Sequence, residues 1–457
     1  MTRTVSLISD PALKRFRWSP VGCRTEAASF VLPLLLWLLA LVISGCATFE
    51  PRPIDEVPFM ERAQTQVKDD LTVTAALPTR EEASQIYGVD LAKKAMQPVW
   101  IEVKNDSDQT VWFLPSGLDP SYFSVREAAY PFSSSTTTKK GRAIVDHFQA
   151  LGLDNPIEPG TTSSGFVIVN RDEAFKAVDV DIVSREASTS FTYILVDPAF
   201  KGDYTLVDFD SLYEQAEIVE IEELEALRRA IELLPCCTTN EGGTEEGDPL
   251  NLVLIGDSRD VFPAFIRRGW RGTEVIWSKA ILRTMKSFMA GSRYLYSPVS
   301  PLYVYGRRQD LAAQKARGTI HERNHLRIWM TPIRFRGKPV WVGQISRDIG
   351  VKFTTKSPTI STHVIDPNVD EARRYMLEDM AYSQAMAQFG FAKGVGEAAR
   401  DTPRYNLVGD PWFSDGRRAV MFFEPRPYTL GDIGILEWET PPAIREDAER
   451  GSTDDER

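Results

Sequence analysis

Histidine and cysteine are both scarce here, with four of each in 457 residues. Four histidines leave little material for a His-rich metal centre, and neither a metal nor a cofactor is expected. No C-x-x-C pair occurs, so the thioredoxin-type redox motif is absent. No repeat of 20–50 residues is visible, which argues against solenoids and propellers. Compositional extremes are missing too: hydrophobic residues make up 43% and charged residues 26%, which excludes a disordered chain or a polytopic membrane protein. The length predicts two or three domains.

One stretch without charge does stand out, Ala27–Phe49, preceded by Arg3, Lys14, Arg15, Arg17 and Arg24. A basic leader followed by the apolar run Phe30–Ile43 is the pattern of an export signal. It ends Ile43-Ser44-Gly45-Cys46, which resembles the lipobox of bacterial lipoproteins. That resemblance implies cleavage after Gly45, acylation of Cys46 and, with Ala47 next, the periplasmic face of the outer membrane. Several acyl chains suffice for stable anchoring where one is marginal. The competing reading is an uncleaved transmembrane anchor with the same orientation.

The remaining thiols are Cys23, lost with the leader, and the adjacent pair Cys236 and Cys237. In an oxidising compartment this pair can close a vicinal disulfide. A structural kink is the plainer role for it, since redox work needs an exposed thiol of low pKa.

Charge is unevenly spread. Residues 46–250 hold 17 basic and 37 acidic residues, whereas 251–425 hold 27 basic and 16 acidic. Such asymmetry points to an anionic partner or to internal docking of opposite charges. Two solvated faces that never meet would look the same.

The organisation reads as α+β. Residues 1–45 are the signal peptide and 46–70 a Pro- and charge-rich tether. Residues 71–207 carry a helix near Arg80–Tyr87 and then period-2 strands at Pro98–Lys104, Thr110–Leu114, Gly165–Val169, Val178–Val183 and Thr189–Val196. These predict an N-terminal antiparallel β-sandwich of immunoglobulin-like type. Ser134–Thr138 with Lys139 and Lys140 reads as an exposed loop. Asp210–Leu234 is expected to be one acidic helix, within a helix-and-linker segment 208–249. Residues 250–425 alternate strands and helices as a C-terminal mixed α/β domain. They include a strand at Asn251–Ile255, helices at Arg259–Arg268 and Lys279–Ala290, and strands at Thr273–Trp277 and Pro301–Tyr305. A long hairpin, His325–Phe335 with Val340–Arg347, precedes a helix at Pro367–Phe389 capped by Asp366 and stopped by Gly390. Arg417–Phe423 closes as a strand. Residues 426–457 form a tail, disordered from Arg445.

Three patterns suggest chemistry. His321-Glu322-Arg323-Asn324-His325 matches H-E-x-x-H, which needs a helix to bring both imidazoles to one zinc. Here it runs into a period-2 strand, where i and i+4 lie about 13 Å apart. Gly256-Asp257-Ser258 after a buried strand looks like the first block of GDS-type esterases. The Asp-x-x-His that would supply their base is missing, so the serine lacks activation, and a helix cap is the simpler reading. The third pattern is a set of polar residues near the hairpin and the last helix. His325, Arg327, Arg347 and His363 are candidates for binding an anion, and His325, Asp348, His363 and Asp366 for acid–base catalysis. Each of them also fits a satisfied hairpin edge or a helix cap.

Several ordered blocks resemble the LssY C-terminal domain family: Asn251–Gly256, Ser297–Arg307, Arg323–Trp329, Gly337–Gly350, Thr362–Pro367 and Asp370–Arg373. The likeness spans residues 250–425. It implies an envelope or secretion setting and supplies no catalytic residues.

The expectation is therefore a cell-envelope lipoprotein, binding or scaffolding rather than catalytic, whose basic C-terminal domain recognises an anionic lipid or glycan. The alternative is a hydrolase of envelope lipids or phosphoesters using the His/Asp set. Expected partners are the membrane, through the lipid anchor, and envelope proteins; nucleic acid is not expected.

Overall fold

A computed structural model describes residues 49–133, 138–172, 175–198, 207–273, 299–316, 323–353 and 361–442. Cys46 and the leader, the expected helix Lys279–Ala290, all but the start of the expected strand Thr273–Trp277, His321 and the tail from Arg445 lie outside the described residues. Pro51–Arg457 clusters as one compact unit.

Its N-terminal part contains two antiparallel sheets. The first joins β1 (Gln64–Lys68), β2 (Leu71–Ala76), β3 (Met96–Asn105) and β5 (Thr161–Asn170), and the second joins β4 (Trp112–Phe113), β6 (Phe175–Val183) and β7 (Ser188–Val196). Alternation puts every second side chain on one face. Val73, Ile101 and Val169 from the first sheet thus share a buried cluster with Phe113, Val180 and Phe191 from the second. Tyr193 pins the two together by donating its hydroxyl to Val73 O at 2.7 Å.

Helix α1 (Arg80–Tyr87) has a capping box between Thr79 and Glu82 and ends at Gly88 in the left-handed conformation. Helices α2 (Pro115–Leu118), α3 (Val125–Ser133) and α4 (Lys139–Ala150) follow. The loop expected at Lys139 and Lys140 is corrected: Thr138 caps α4 by accepting from Gly141 N at 3.0 Å, and these lysines form its first turn. The tether is corrected as well. Phe59 is fully buried, 6.0 Å from the ring of Trp100 and 5.6 Å from that of Phe166, and β1 pairs with β2 along its length. Aromatic burial there outweighs the local prolines and charges.

The C-terminal part is a mixed sheet of ten strands. Its elements are β8 (Val219–Ile221), β11 (Leu252–Ile255), β12 (Arg271–Gly272), β15 (Leu311–Ala316), β16 (Arg323–Phe335), β17 (Lys338–Phe353), β18 (Ser361–Ile365), β19 (Met386–Lys393), β22 (Arg417–Phe423) and β23 (Gly434–Ile435). The β16–β17 hairpin forms its centre, β11 joins β17 antiparallel, and β22 joins β11 parallel. Helices α6 (Ser258–Arg267) and α7 (Val369–Ala381) contribute Phe262, Phe265, Met376 and Met380 to the core on one face. Helix α5 (Leu224–Glu232) buries Leu227 and Ile231 on the other. A smaller sheet of β10 (Glu246–Pro249), β9 (Cys237–Thr239), β13 (Tyr303–Val304) and β14 (Arg307–Arg308) supplies Leu250 and Val304 to a cluster with Trp329 and Val342.

Two expected boundaries change. The acidic helix keeps only Leu224–Glu232, because β-branched Val219 and Ile221 instead extend the sheet as β8, parallel to β16. The helix after Asp366 ends at Ala381, and Gly390 lies inside β19. A Cβ on Gly390 would stand 2.7 Å from Leu436 Cβ, so this glycine serves close packing rather than helix termination. Within the expected tail, β23 pairs with β19, and the part from Arg445, where disorder is expected, lies outside the described residues.

Candidate functional site

Two polar regions emerge, one buried along the β16–β17 hairpin and one open to solvent. On β16 and β17 the register pairs His325 with Ser346 and Arg327 with Gln344. Arg323, His325 and Arg327 therefore share a face with Gln344, Ser346 and Asp348, and all six are buried. His325 Nε2 lies 2.6 Å from Asp348 Oδ2, and Arg323 Nε lies 4.0 Å from the same oxygen. Against an ionised carboxylate, which only accepts, Nε2 carries the proton. Burial pulls the imidazole below its usual pKa despite the pull of Asp348 in the opposite direction. A neutral histidine results at pH 7. Arg327 donates to Gln344 Oε1 at 2.9 Å and to Ser300 O at 3.1 Å. Nearby Asp248 has its carboxyl pushed up, by burial first and then by Asp410 and Asp348.

The remaining sequence candidates do not join this row. Arg347 follows Ser346 in the strand and so faces the opposite side, where it stacks over Tyr375 at 5.4 Å and bonds Asn324 Oδ1 at 3.3 Å. Asp366 accepts from Asn368 N at 3.0 Å, a local turn contact, while Asn368 takes the N-cap position. The backbone of His363 pairs with Val351, but its side chain lies outside the described residues. His325, Arg327 and Asp348 are thus brought together, and Arg347 and Asp366 are held apart from them.

The open region is a cleft of about 470 Å³ beyond the carboxyl ends of the parallel strands β11 and β22. Asp257, Ser258, Arg259 and Asp260 line it from the start of α6, and Lys68 reaches it from β1. The chain turns into this site through Gly256, whose φ is +154° and whose Cβ would stand 2.8 Å from Phe423 Cβ. The Gly256-Asp257-Ser258 block therefore sits at a cleft after all. Among the described residues no histidine lines it, so none of them gives Ser258 a base. Burial, and then Asp257, raise the Asp260 carboxyl to about 6. Lys68 donates to Ser190 O, and its ammonium is lowered by burial and by Arg426. Lys68, Asp260 and Arg426 were not singled out from the sequence, because their meeting is purely tertiary.

Opposite charges dock beside the cleft. Arg267 Nη1 binds Asp179 at 3.1 and 3.2 Å, Arg426 Nε lies 3.3 Å from Asp179, and Arg426 also bonds Asp181. Arg271 pairs with Asp172. Elsewhere Arg268 and Lys315 meet on Asp379, and Arg373 grips Asp415 with two bonds of 2.7 and 2.8 Å. Arg418 is wholly buried, donates to the carbonyls of Ile231, Leu234, Pro235 and Gly394, and is pulled down to about 10 by burial. Much of the C-terminal basic excess is spent inside the molecule.

Cys236 and Cys237 are joined as a vicinal disulfide where β9 begins. Arg404 Nη2 lies 3.4 Å from Cys236 Sγ and pairs with Glu246. The two sulfurs and a Glu246 oxygen lie within 4.8 Å of one another. With the sulfurs bonded to each other, no thiolate is available there as a metal ligand.

The fold and these two regions define a mixed α+β protein, rich in strands, with a buried polar row and a charged cleft. Residues 228–417 match the family described as LssY C-terminus, the family that the sequence blocks resemble. The match starts within α5 and takes in β9, β10 and the disulfide. No curated protein matches the chain.

Proposed function

We propose that this protein is a cell-envelope lipoprotein, anchored through acylated Cys46 at the periplasmic face of the outer membrane, that binds an anionic ligand without transforming it. The observation that carries the reading is the cleft at the carboxyl ends of β11 and β22, with Lys68 and Arg259 on its walls. Crevices at that end of parallel strands are the usual ligand positions in α/β sheets, and the volume lies within the range of small-molecule sites. The two N-terminal sheets, in this reading an immunoglobulin-like sandwich, supply one wall and a surface for envelope proteins. Binding of Pro51–Arg457, the compact unit free of the anchor, to phosphatidylglycerol and phosphatidylcholine vesicles at low and high salt tests this. Preference for the anionic vesicles that weakens with salt supports it, and equal binding to both ends it.

A hydrolase reading rests on the 2.6 Å contact of His325 with Asp348. Their burial, and the bonds that hold Arg327, favour a structural row instead. Turnover of phospholipid or phosphoester substrates that His325→Gln abolishes would reverse that preference.

A further inference from the structure

The cleft offers charges of both signs that are not committed elsewhere. Asp257, Arg259 and Asp260 make no side-chain hydrogen bond or ion pair among the described residues, and Lys68 meets only a main-chain carbonyl and the face of Phe191, 5.4 Å from its ammonium, rather than a carboxylate. Arg267 and Arg426, by contrast, line the cleft already bound to Asp179 and Asp181. A lone anion entering here meets Asp257 and Asp260, and a lone cation meets Lys68 and Arg259. Either is attracted by one part of the wall and leaves the charges of the other part unanswered. A ligand carrying both signs finds a complement for each.

Asp260 is faced by Asp257 and Glu424, which disfavour its charge, and by Lys338 and Arg267, which favour it; Lys68 also feels its field. Half-buried beside a second carboxylate, Asp260 ionises more readily once an ammonium sits against the pair. Among the described residues, none that lines the cleft is aromatic. Quaternary ammonium groups are typically held by aromatic faces, whereas a primary ammonium can donate hydrogen bonds to carboxylates.

We propose that the cleft binds a phosphate bearing a primary ammonium a few bonds away, with the ammonium at Asp257 and Asp260 and the phosphate at Lys68 and Arg259. The proposal rests on the binding reading above: it keeps the anionic phosphate of that ligand and adds an ammonium to it. The same chemistry occurs in a lipid headgroup and in a free aminoalkyl phosphate ester.

The test titrates Pro51–Arg457 by calorimetry with glycerophosphoethanolamine, glycerophosphocholine, glycerol 3-phosphate and ethanolamine at pH 7. Glycerophosphoethanolamine should bind at least about tenfold tighter than the other three. Its affinity should fall at pH 5, where Asp260 holds its proton while the ligand keeps both charges. Asp260→Asn should weaken binding about tenfold and remove that pH dependence while the urea midpoint at pH 7 does not fall. Tighter binding per headgroup to phosphatidylethanolamine vesicles than to the soluble compound assigns the lipid as source, and equal binding assigns the free ester. Equal affinity for glycerol 3-phosphate overturns the ammonium half and leaves the anion reading standing. Equal affinity for glycerophosphocholine overturns the primary-ammonium choice. No binding to any soluble compound or vesicle overturns both the narrowed ligand and the broader reading.

Discussion

The buried row on β16–β17 and the cleft at α6 use the same residue types and treat them in opposite ways. In the row, Asp348 has His325 at 2.6 Å and Arg323 at 4.0 Å, and Arg327 is held by Gln344 and Ser300. In the cleft, Asp257, Arg259 and Asp260 have no such partners among the described residues. A charge taken from water must be paired or it becomes costly. The row therefore consumes its charges in joining the two strands of the hairpin and in holding Ser300, while the cleft keeps its own for something that arrives. The contrast teaches that proximity of histidine to aspartate is a weaker sign of function than a polar group left without a partner.

The sharpest way to break this comparison is to remove one anion from each region. Asp348→Ala removes the buried carboxylate beside His325 and Arg323 and should cost about 3–5 kcal/mol in urea unfolding. A loss below about 1 kcal/mol would mean the row is not structural. The docking cluster is expected to come next. Asp179→Ala removes the shared partner of Arg267 and Arg426 and should cost about 3 kcal/mol. Because these groups are largely buried, added salt should change that cost little.

The two regions should also respond to pH with opposite sign. The folded pKa of His325 lies below its usual 6.5, so its contribution to stability is present above pH 6.5 and fades as pH falls below it. Asp260 has a folded pKa raised to about 6. Its contribution is fullest below the usual carboxyl pKa and fades as pH rises through 6. Urea midpoints across pH 4–8 for His325→Gln and Asp260→Asn should each flatten one of these limbs. Flattening of the same limb by both variants would contradict the assignment.

Smaller effects are expected outside the row. Replacing Cys236 and Cys237 with serine opens a ring between adjacent residues, and chain entropy for so short a loop amounts to about 1 kcal/mol. A much larger loss would make the disulfide a principal support of the β9–β10 hairpin. Asp257→Ala, at an exposed position without a partner, should leave stability within about 0.5 kcal/mol.

How legible each region was in the sequence depended on distance along the chain. Helix α1 and strand β22 fell where local pattern placed them, at Arg80–Tyr87 and Arg417–Phe423. The hairpin was readable because period-2 alternation and the Arg336-Gly337 turn lie within one stretch. The same alternation could have separated Arg347 from Asp348, since neighbours in a strand face opposite sides. Helices α3 and α4 were missed because serine, threonine and lysine around residue 138 read as loop chemistry while Thr138 was acting as a cap. Val219–Ile221 carried a helical stripe locally and was claimed by the edge of β16, a partner more than a hundred residues away. The cleft was half visible: Gly256-Asp257-Ser258 could be read, but Lys68 and Arg426 meet it only through the fold.

Hydrogen exchange of Pro51–Arg457, followed by mass spectrometry with and without glycerophosphoethanolamine, confronts the committed row and the open cleft in a single experiment. Slowed exchange in the first turn of α6 and along Gln66–Lys68, with β16 unchanged, is the predicted result. Protection confined to Arg323–Trp329 would contradict it and return the search for function to His325 and Asp348.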